Sequence, residues 1–275
     1  MRKSAAYLGP AYSFCEQAAI DFTGLKTDEL LPCSTIEAVF AAVHRGEVPI
    51  GIVPVENSCE GAVNQTLDLL AYDYDLKIVG EIVIPIDHHL LVRPGTESTV
   101  ITHILSHPQA LAQCRKTMAR LYPQADIKEA LSTAEAARIV AESQAPWGAI
   151  ASRAAGAAYG LKIKNSNIQD ISDNETRFIA LGRTENQMAT AGKTSLLIHT
   201  RNQPGALYKC LQEFYVRGIN LNKIESRPAK KRIGQYLFFI DIDGNIHDEN
   251  VAQAINALNI CAEGVRFLGS YPNHR

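Results

Sequence analysis

Short apolar runs alternate with longer amphipathic segments along the first part of the chain. Runs of about four to eight apolar residues favour strands, whereas apolar residues spaced three and four positions apart favour helices. In chain order the pattern predicts strand 5–8, helix 14–22, strand 29–32, helix 35–44, strand 50–55 and helix 62–70. This alternation is typical of a parallel α/β sheet.

An extended stretch at residues 77–92 then interrupts the alternation, and Pro85 within it argues against a single central strand. The α/β pattern resumes with strand 102–105, helix 108–121, strand 126–129, helix 133–142, strand 148–150 and helix 152–159. We therefore predict two α/β lobes, about residues 1–78 and 79–183, joined by extended crossovers. Open α/β sheets bind ligands at such junctions, so a cleft between the lobes is the expected site.

A second domain is predicted after residues 184–192, which are small and polar and read as a linker. Its predicted elements are strand 193–200, helix 205–217, strand 220–227, strand 235–241, helix 248–258 and strand 264–268. The order β-α-β-β-α-β is that of a ferredoxin-like domain, here spanning residues 193–275. The basic loop 229–234 is expected to join the two central strands as a hairpin.

Composition and charge narrow the possible partners. The chain has 275 residues, of which 46% are apolar and 20% charged, as in an ordinary globular protein. Its 27 basic and 29 acidic residues give a formal net charge of −2, so a nucleic-acid partner is not expected. No stretch approaches the roughly 18 apolar residues that span a membrane, and no secretory leader is visible, so we expect a cytoplasmic protein without a membrane partner.

The sequence offers no pattern for a metal or an organic cofactor. The six cysteines are scattered, without CxxC pairs or histidines at the spacing of zinc ligands. Neither a GxGxxG run nor a P-loop is present. We therefore expect reduced structural thiols, no metal site and no cofactor.

Four predicted helices begin with a serine followed three residues later by Glu or Gln, the pattern of a capping box. The pairs are Ser13 with Glu16, Ser34 with Glu37, Ser106 with Gln109, and Ser132 with Glu135. Each pair alone is ordinary helix punctuation. In a parallel α/β lobe, however, helix N-termini gather at the carboxyl ends of the strands, where their free N–H groups favour an anion. The pattern predicts an anionic small molecule in the cleft.

Two polar runs stand at predicted strand boundaries. Glu-Asn-Ser at 56–58 follows the third predicted strand, where it is either a simple turn or part of a site. In the run 174–178, Asn-Glu-Thr-Arg-Phe, Thr176 and Phe178 share one face of a strand and Arg177 lies on the other. Arg177 is therefore either a surface residue or a bidentate grip on a carboxylate, and the residues alone leave both open.

Seven sequence motifs occur in order along the chain: YLGPAYSFCEQAA, IVPVENSCEGAVNQTLDLL, SHPQALAQC, GAIAS followed by YGL, NETRF, GALYKCL and NKIESRP. The first five resemble the prephenate dehydratase family, and the last two resemble the phenylalanine-sensing ACT domain that follows in that family. The resemblance implies a two-lobed catalytic domain, residues 1–183, similar to periplasmic-binding proteins, and an ACT domain in the C-terminal part. It implies the monofunctional form, since no chorismate mutase segment precedes. The implied reaction converts prephenate to phenylpyruvate, CO2 and water in L-phenylalanine biosynthesis without a cofactor.

The resemblance also implies roles for individual residues. Thr176 would donate a hydrogen bond or a proton to the departing hydroxyl, Arg177 would anchor a carboxylate, and Phe178 would form a wall of the ring pocket. Residues that would orient the substrate through neutral hydrogen bonds are Asn57, Ser106 and Gln113. Glu56 is the alternative acid, if burial raises its pKa. Further candidates for binding the substrate are Ser13, Ser58, Ser132 and Thr133.

The first motif departs from the family pattern at two positions. Tyr12 stands where glycine is usual, and Cys15 where serine is usual. A tyrosine in place of glycine removes a permissive backbone position, so the shape of loop 9–14 is left open.

The two C-terminal motifs imply an effector site. By resemblance they form a pocket for L-phenylalanine between two ACT domains, so the protein is expected to be a homodimer or homotetramer. The effector would inhibit by favouring one quaternary arrangement. The implied effector-binding residues are Gly205, Ala206, Leu207, Asn220, Leu221, Glu225, Ser226, Arg227 and Pro228.

Two other functions stay open on the sequence alone. Arogenate differs from prephenate by an amine in place of the side-chain keto group, so the chain could be an arogenate dehydratase or accept both substrates. A two-lobed fold with an amino-acid-binding domain could also be a non-catalytic amino-acid sensor.

Overall fold

Three β-sheets with helices packed on them make up the computed structural model, which describes residues 3–185, 192–230 and 234–273. The strands are β1 (Ala5–Leu8), β2 (Leu30–Cys33), β3 (Ile50–Asn57), β4 (Gly61–Ala62), β5 (Lys77–Pro85), β6 (His89–Val92), β7 (His103–Ser106), β8 (Asp126–Glu129), β9 (Trp147–Ala151), β10 (Lys162–Asn165), β11 (Glu175–Gly182), β12 (Lys193–His199), β13 (Leu221–Pro228), β14 (Tyr236–Asp243) and β15 (Gly264–Tyr271). The helices are α1 (Phe14–Thr23), α2 (Ile36–His44), α3 (Asn64–Asp68), α4 (Pro108–Gln113), α5 (Arg115–Leu121), α6 (Thr133–Glu142), α7 (Arg153–Ala158), α8 (Ala206–Tyr215) and α9 (Glu249–Cys261).

The sheet orders confirm the predicted fold class. The first sheet runs β2-β1-β3-β11-β5, with β1 parallel to β2 and β3. The second sheet runs β10-β6-β9-β7-β8, and the third is the antiparallel sheet β13-β14-β12-β15 with α8 and α9 on one face. The chain therefore has two α/β lobes followed by a ferredoxin-like domain.

The sheets divide the chain differently from the predicted lobes. Strands β5 and β11 both belong to the first sheet, although most of β5 and all of β11 were assigned to the second lobe. The chain leaves the first sheet after β5 and returns to it in β11, so segments 86–88 and 166–174 cross between the lobes side by side. The backbone N–H of Ile86 donates to Asn174 O at 2.8 Å, and that of Ile168 to His88 O at 2.8 Å. Residues 77–92 are mostly apolar throughout, so the sequence does not mark the point where the chain passes from the first sheet to the second.

The third sheet packs its free face against the first lobe. Leu197 and Leu268 lie in one apolar core with Ile78 and Leu181. Gly269 comes so close that a Cβ there would lie 2.0 Å from the carbonyl oxygen of Ile78. Most of the predicted linker, residues 186–191, and residues 231–233 of the predicted basic loop lie outside the described ranges, so both stay predictions.

Tyr12, at the position where the resemblance leads one to expect glycine, has a left-handed backbone with φ of 65°. This conformation costs a non-glycine residue about 1 to 2 kcal/mol. Its N–H donates to Glu16 Oε2 at 2.6 Å, and its ring packs edge-on against Tyr159 of the second lobe. These contacts offset the cost and keep the loop in the shape that glycine would adopt freely.

Within the described residues, every helix is too short or too polar to cross a membrane.

Candidate active site

A cavity of about 400 Å³ opens between the two lobes. Strands β1 and β3 contribute their ends, and strand β11 and helices α1, α2, α4 and α6 contribute their beginnings. The predicted site residues that line it are Ser13, Asn57, Gln113, Ser132, Thr133, Thr176 and Phe178. No lysine or arginine side chain of the described residues lines it. Helix N-termini from both lobes therefore supply its positive potential.

Two of the four predicted helix caps at this cleft are confirmed. Ser13 Oγ accepts from the N–H of Glu16 at 3.4 Å, and Ser132 Oγ accepts from the N–H of Glu135 at 3.0 Å. The other two caps were placed one residue too early. Thr35 caps α2, and His107 caps α4, because Pro108 occupies the first helical position and the residue before it takes the capping role.

Asn57 holds the hydroxyl of Thr176 in a defined orientation. Asn57 Oδ1 accepts from the backbone N–H groups of Cys59 and Glu60, both at 3.0 Å. Backbone N–H groups only donate, so the other end of the amide, Nδ2, must face Thr176 Oγ1, which lies 2.8 Å away. Thr176 therefore accepts from Asn57, and its own proton is available to a group in the cavity.

The hydrogen bonds continue from Asn57 across the cleft. Asn57 Nδ2 donates to Asn174 Oδ1 at 2.8 Å, and Asn174 Nδ2 donates to Gln113 Oε1 at 3.0 Å. Gln113 Nε2 reaches Glu60 Oε1 at 3.3 Å, and His88 Nε2 lies 3.0 Å from Gln113 Oε1. Because Gln113 belongs to the second lobe, this polar network ties the lobes together.

Asn174 and His88 were missed as site residues by the sequence analysis. Asn174 is 2% exposed and His88 is 3% exposed, and both lie on the crossovers between the lobes. Asn174 is the first residue of the NETRF motif, in which only the threonine, arginine and phenylalanine were predicted to belong to the site. His88 is the first of two consecutive histidines that follow Asp87 and interrupt an apolar stretch, and this pattern is the signal that the sequence offers for it.

The structure places Ser58 and Ser106 outside the cavity wall. Ser58 Oγ accepts from the N–H of Glu175 at 2.9 Å and donates to Asp173 O at 3.2 Å, so it stabilises the turn beside β11. Ser106 is fully buried and donates to Ile150 O at 2.6 Å. Both hydroxyls are occupied by backbone partners, which explains why neither is offered to a ligand.

The carboxylate-anchor role predicted for Arg177 is contradicted by its contacts. Its Nε lies 2.6 Å from Glu81 Oε2, its Nη1 lies 2.6 Å from Asp241 Oδ2, and its Nη2 donates to Tyr271 OH at 3.0 Å. Burial opposes the charge, but Asp241, Tyr271 and Glu81 outweigh it and hold the pKa of the guanidinium above its ordinary value. Strand alternation points Thr176 and Phe178 into the cavity and Arg177 toward the third sheet.

Glu56, the alternative acid, also faces away from the cavity. It pairs with Arg177 across β3 and β11, and its carboxylate lies 2.7 Å from Lys223 Nζ in the third sheet. Its side chain is 39% exposed, so it is not enclosed in an apolar pocket. The geometry does not support an acid role for Glu56.

A separate cavity of about 470 Å³ lies in the C-terminal domain. The predicted effector residues Gly205, Ala206 and Leu207 line it. The other predicted effector residues lie elsewhere, on the open edge strand β13 or just before it: Asn220, Leu221, Glu225, Ser226, Arg227 and Pro228. Arg227 of that strand pairs with Asp68 of the first lobe at 2.8 Å. Within one chain, the two predicted sets of effector residues do not meet in this cavity.

Buried His88 and His89 should make stability depend on pH. Burial lowers the pKa of both, although Asp87 acts in the opposite direction. An unfolded histidine takes up a proton near pH 6.5, so the unfolded chain binds more protons below that pH and the free energy of unfolding falls. We expect a lower thermal midpoint at about pH 5.5 than at about pH 7.5. The difference should be smaller in His88→Gln; an equal difference in variant and wild type would contradict this.

Comparison with known proteins gives consistent matches along nearly the whole chain. The family model of prephenate dehydratase matches residues 5–186, and that of the ACT domain matches residues 194–259. A bifunctional chorismate mutase/prephenate dehydratase of Aquifex aeolicus is 44% identical over 267 residues, covering 97% of this chain and 73% of that protein. A prephenate dehydratase of Lactococcus lactis subsp. cremoris is 40% identical, covering 97% of this chain and 96% of that protein. The crystal structure of prephenate dehydratase from Arthrobacter aurescens in complex with L-Phe has a TM-score of 0.89 and 37% identity, covering 98% and 90% of the two chains.

Proposed function

Because the chain belongs to the prephenate dehydratase family and carries an ACT domain, we propose that it converts prephenate into phenylpyruvate, CO2 and water in the cavity between its lobes, under feedback control by L-phenylalanine. The observation that supports this most is the Thr176 hydroxyl, which Asn57 orients so that its proton is free for the cavity. Phe178 lies beside it in the same wall. The site therefore places a hydrogen-bond donor next to an aromatic surface suited to a ring.

The reaction breaks two bonds of the substrate ring together. The bond from the ring to its carboxylate breaks, CO2 leaves, and the electron pair enters the ring. The ring becomes aromatic as hydroxide departs from the opposite carbon and takes up a proton to leave as water. Thr176 stabilises the departing oxygen by a hydrogen bond, which is worth most where charge develops in the transition state.

The charge distribution of the cavity suits this chemistry. The substrate carries two carboxylates, and the beginnings of α1, α2 and α6 provide N–H groups and positive helix ends that suit the side-chain carboxylate, which is retained in the product. A cation held against the ring carboxylate would oppose its loss as CO2, because that charge disperses in the transition state. A wall without lysine or arginine among the described residues avoids this penalty.

A side-by-side assay of prephenate and arogenate tests the proposal. Phenylpyruvate formed from prephenate by the purified chain supports it. Phenylalanine formed from arogenate at the higher kcat/KM would make the chain an arogenate dehydratase instead. Thermal stabilisation by either compound with no product would favour the amino-acid sensor.

For the effector, we place L-phenylalanine in the cavity of about 470 Å³ at the start of α8. Strand β13 of a second copy would complete the pocket, since its edge is unpaired in the described chain and Ile224 on it is 45% exposed. This arrangement makes the protein a homodimer, or a homotetramer formed from two dimers. It also explains why the two effector motifs lie apart within one chain.

Gly205→Val should weaken inhibition by L-phenylalanine at least about 10-fold and leave the uninhibited rate nearly unchanged. Gly205 has φ of 77° at the start of α8, a left-handed conformation that valine resists, so the pocket wall must change shape. The measurement is initial rate against effector concentration. Gly218→Val is the matched control, because Gly218 has φ of 65° just beyond the other end of α8 and also has open space around it. Equal loss of inhibition in both variants would count against the pocket.

A reducing, cytoplasmic setting fits the thiols of this chain. All six cysteines are free, and Cys210 Sγ and Cys261 Sγ lie 3.9 Å apart at hydrogen-bond distance, without a disulfide bond. Such pairs persist as thiols in a reducing compartment. The proposed reaction transfers no electrons to or from an acceptor, so we assign it no cofactor.

A further inference from the structure

Gln113 presents its side-chain amide to the cavity from the end of α4. An amide offers a ligand either an acceptor oxygen or donor N–H groups, depending on which way round it sits. The side-chain oxygen of Gln113 lies 3.0 Å from Asn174 Nδ2 and 3.0 Å from His88 Nε2. Its nitrogen lies 3.3 Å from a carboxylate oxygen of Glu60.

The orientation of this amide is fixed by a chain of hydrogen bonds that starts at the backbone. The N–H groups of Cys59 and Glu60 hold Asn57 Oδ1, so Asn57 Nδ2 must donate to Asn174 Oδ1. Asn174 Nδ2 must then donate to Gln113, which places Oε1 of Gln113 on that side. The Glu60 carboxylate accepts from the opposite end and requires the same orientation.

The orientation of Gln113 in turn fixes the tautomer of His88. Since Gln113 Oε1 only accepts, His88 Nε2 must carry the proton and donate it. The second ring nitrogen, Nδ1, is buried without a hydrogen-bond partner. Burial lowers the pKa of this ring, which agrees with the neutral form. His88 is therefore a neutral donor to Gln113.

Both lone pairs of the Gln113 oxygen are thus occupied, and a ligand can receive only N–H from this side chain. Thr176 likewise offers its proton, as the contact with Asn57 requires. No Asp or Glu side chain lines the cavity in the part of the chain that the structure describes. Gln113 and Thr176, the two side chains whose orientation these hydrogen bonds fix, therefore each present a donor to the ligand.

We propose that Gln113 determines substrate specificity, and that His88 and Asn174 are positioning residues that lock it as a donor, so that the site selects a 2-oxo acid side chain over a 2-amino acid side chain. This inference rests on the proposed function. A keto oxygen accepts the N–H of Gln113, whereas an ammonium group has only donors to set against it. Sites that leave a buried donor unpaired discriminate strongly, so kcat/KM for prephenate should exceed that for arogenate by at least about 100-fold.

Gln113→Glu tests the proposal with little change in shape. The glutamate still accepts from His88 and Asn174 but replaces the N–H donor with an acceptor oxygen. Because Glu60 Oε1 lies 3.3 Å from the Gln113 nitrogen, this variant, its control and the reference protein all carry Glu60→Gln, which removes the repulsion between the two carboxylates. The ratio of kcat/KM for prephenate to that for arogenate should fall at least about 10-fold. Gln109→Glu is the matched control, because it adds the same charge to the wall of the same cavity without touching the lock. Its ratio should change less than about threefold.

A second pair of variants tests the lock itself. His88→Leu removes the donor to Gln113 Oε1 and frees one lone pair for the ligand, so the ratio should fall. His88→Gln can still donate an N–H to Gln113 and should restore the ratio toward that of the wild type. This pair decides the matter if Gln113→Glu does not fold.

Several results would overturn the inference. The first is a wild-type ratio of kcat/KM for prephenate to that for arogenate near one. The second is an unchanged ratio in folded, active Gln113→Glu, or a ratio that shifts equally in Gln113→Glu and Gln109→Glu. The third is an equal ratio in His88→Leu and His88→Gln. A wild-type chain that converts neither substrate would refute the proposed function and this inference with it. If the wild type prefers prephenate and the variants leave the ratio of kcat/KM values unchanged, only this inference fails and the proposed function stands.

Discussion

Replacing Thr176 by valine should lower kcat for prephenate at least about 10-fold, because the variant loses the hydroxyl that we propose donates to the departing oxygen. Asn57 Nδ2 donates to this hydroxyl at 2.8 Å, so the hydroxyl proton is not used in that contact and is available to a group in the cavity. Valine keeps the β-branched shape of threonine in strand β11. Asn57 keeps its contacts with Asn174 Oδ1 and with the carbonyl of Glu175, so the fold should be retained.

Steady-state kinetics of purified wild type, Thr176→Val and Thr176→Ser check this result. Serine retains a hydroxyl at the same position and should keep more activity than valine. Similar kcat values for valine and wild type, with both proteins folded, would remove Thr176 from the mechanism.

Replacing Arg177 by methionine should destabilise the protein by about 3 kcal/mol while leaving KM for prephenate nearly unchanged. Removing the guanidinium leaves two buried carboxylates with fewer partners: Glu81 keeps Lys193 Nζ at 2.7 Å, and Asp241 keeps Ser195 Oγ at 2.5 Å. Breaking one partner out of a buried ion pair costs more than the pair contributes, because the remaining charge stays desolvated. KM should not respond, since Arg177 faces the third sheet rather than the cavity.

Denaturant unfolding and steady-state kinetics on the same preparations separate the two effects. Arg138→Met is the matched control, because Arg138 also bonds two carboxylates, those of Glu135 and Glu142, but on the surface of α6. Exposed pairs of this kind contribute little, so its unfolding midpoint should barely move. If Arg177→Met has unchanged stability and a large rise in KM, Arg177 binds the substrate and this assignment is wrong.

The alternation of side chains along a strand predicted correctly which residues of β11 face the cavity. It separated Thr176 and Phe178 from Arg177 before any fold was known, and the structure confirms that separation. It could not say what each face meets. The partners of Arg177 lie 96, 64 and 94 residues away along the chain, in another strand and in another domain. Docking of one domain on another leaves no periodic signal in the sequence. Arg177 was therefore predicted to bind a carboxylate of the substrate rather than the carboxylates of Glu81 and Asp241.

The polar network of the site was predicted in part, for a related reason. Capping patterns and strand ends pointed to Ser13, Asn57 and Ser132 at the cleft because those signals are local. Asn174 and His88 lie on the two crossovers, and their roles arise only when the crossovers come together beside Gln113. Ser106 carried the same local signal as Ser13, but its hydroxyl is taken by a carbonyl of a neighbouring strand. Local patterns thus find where polar groups gather, whereas long-range pairing decides which of them is left free for a ligand.

The most direct measurement of the central claim is the amount of phenylpyruvate and CO2 that the full chain releases from prephenate, with and without L-phenylalanine. The account predicts equal amounts of the two products, a rate that falls as L-phenylalanine is added, and a rate that Thr176→Val lowers at least about 10-fold. A folded chain that binds prephenate yet releases neither product would contradict it.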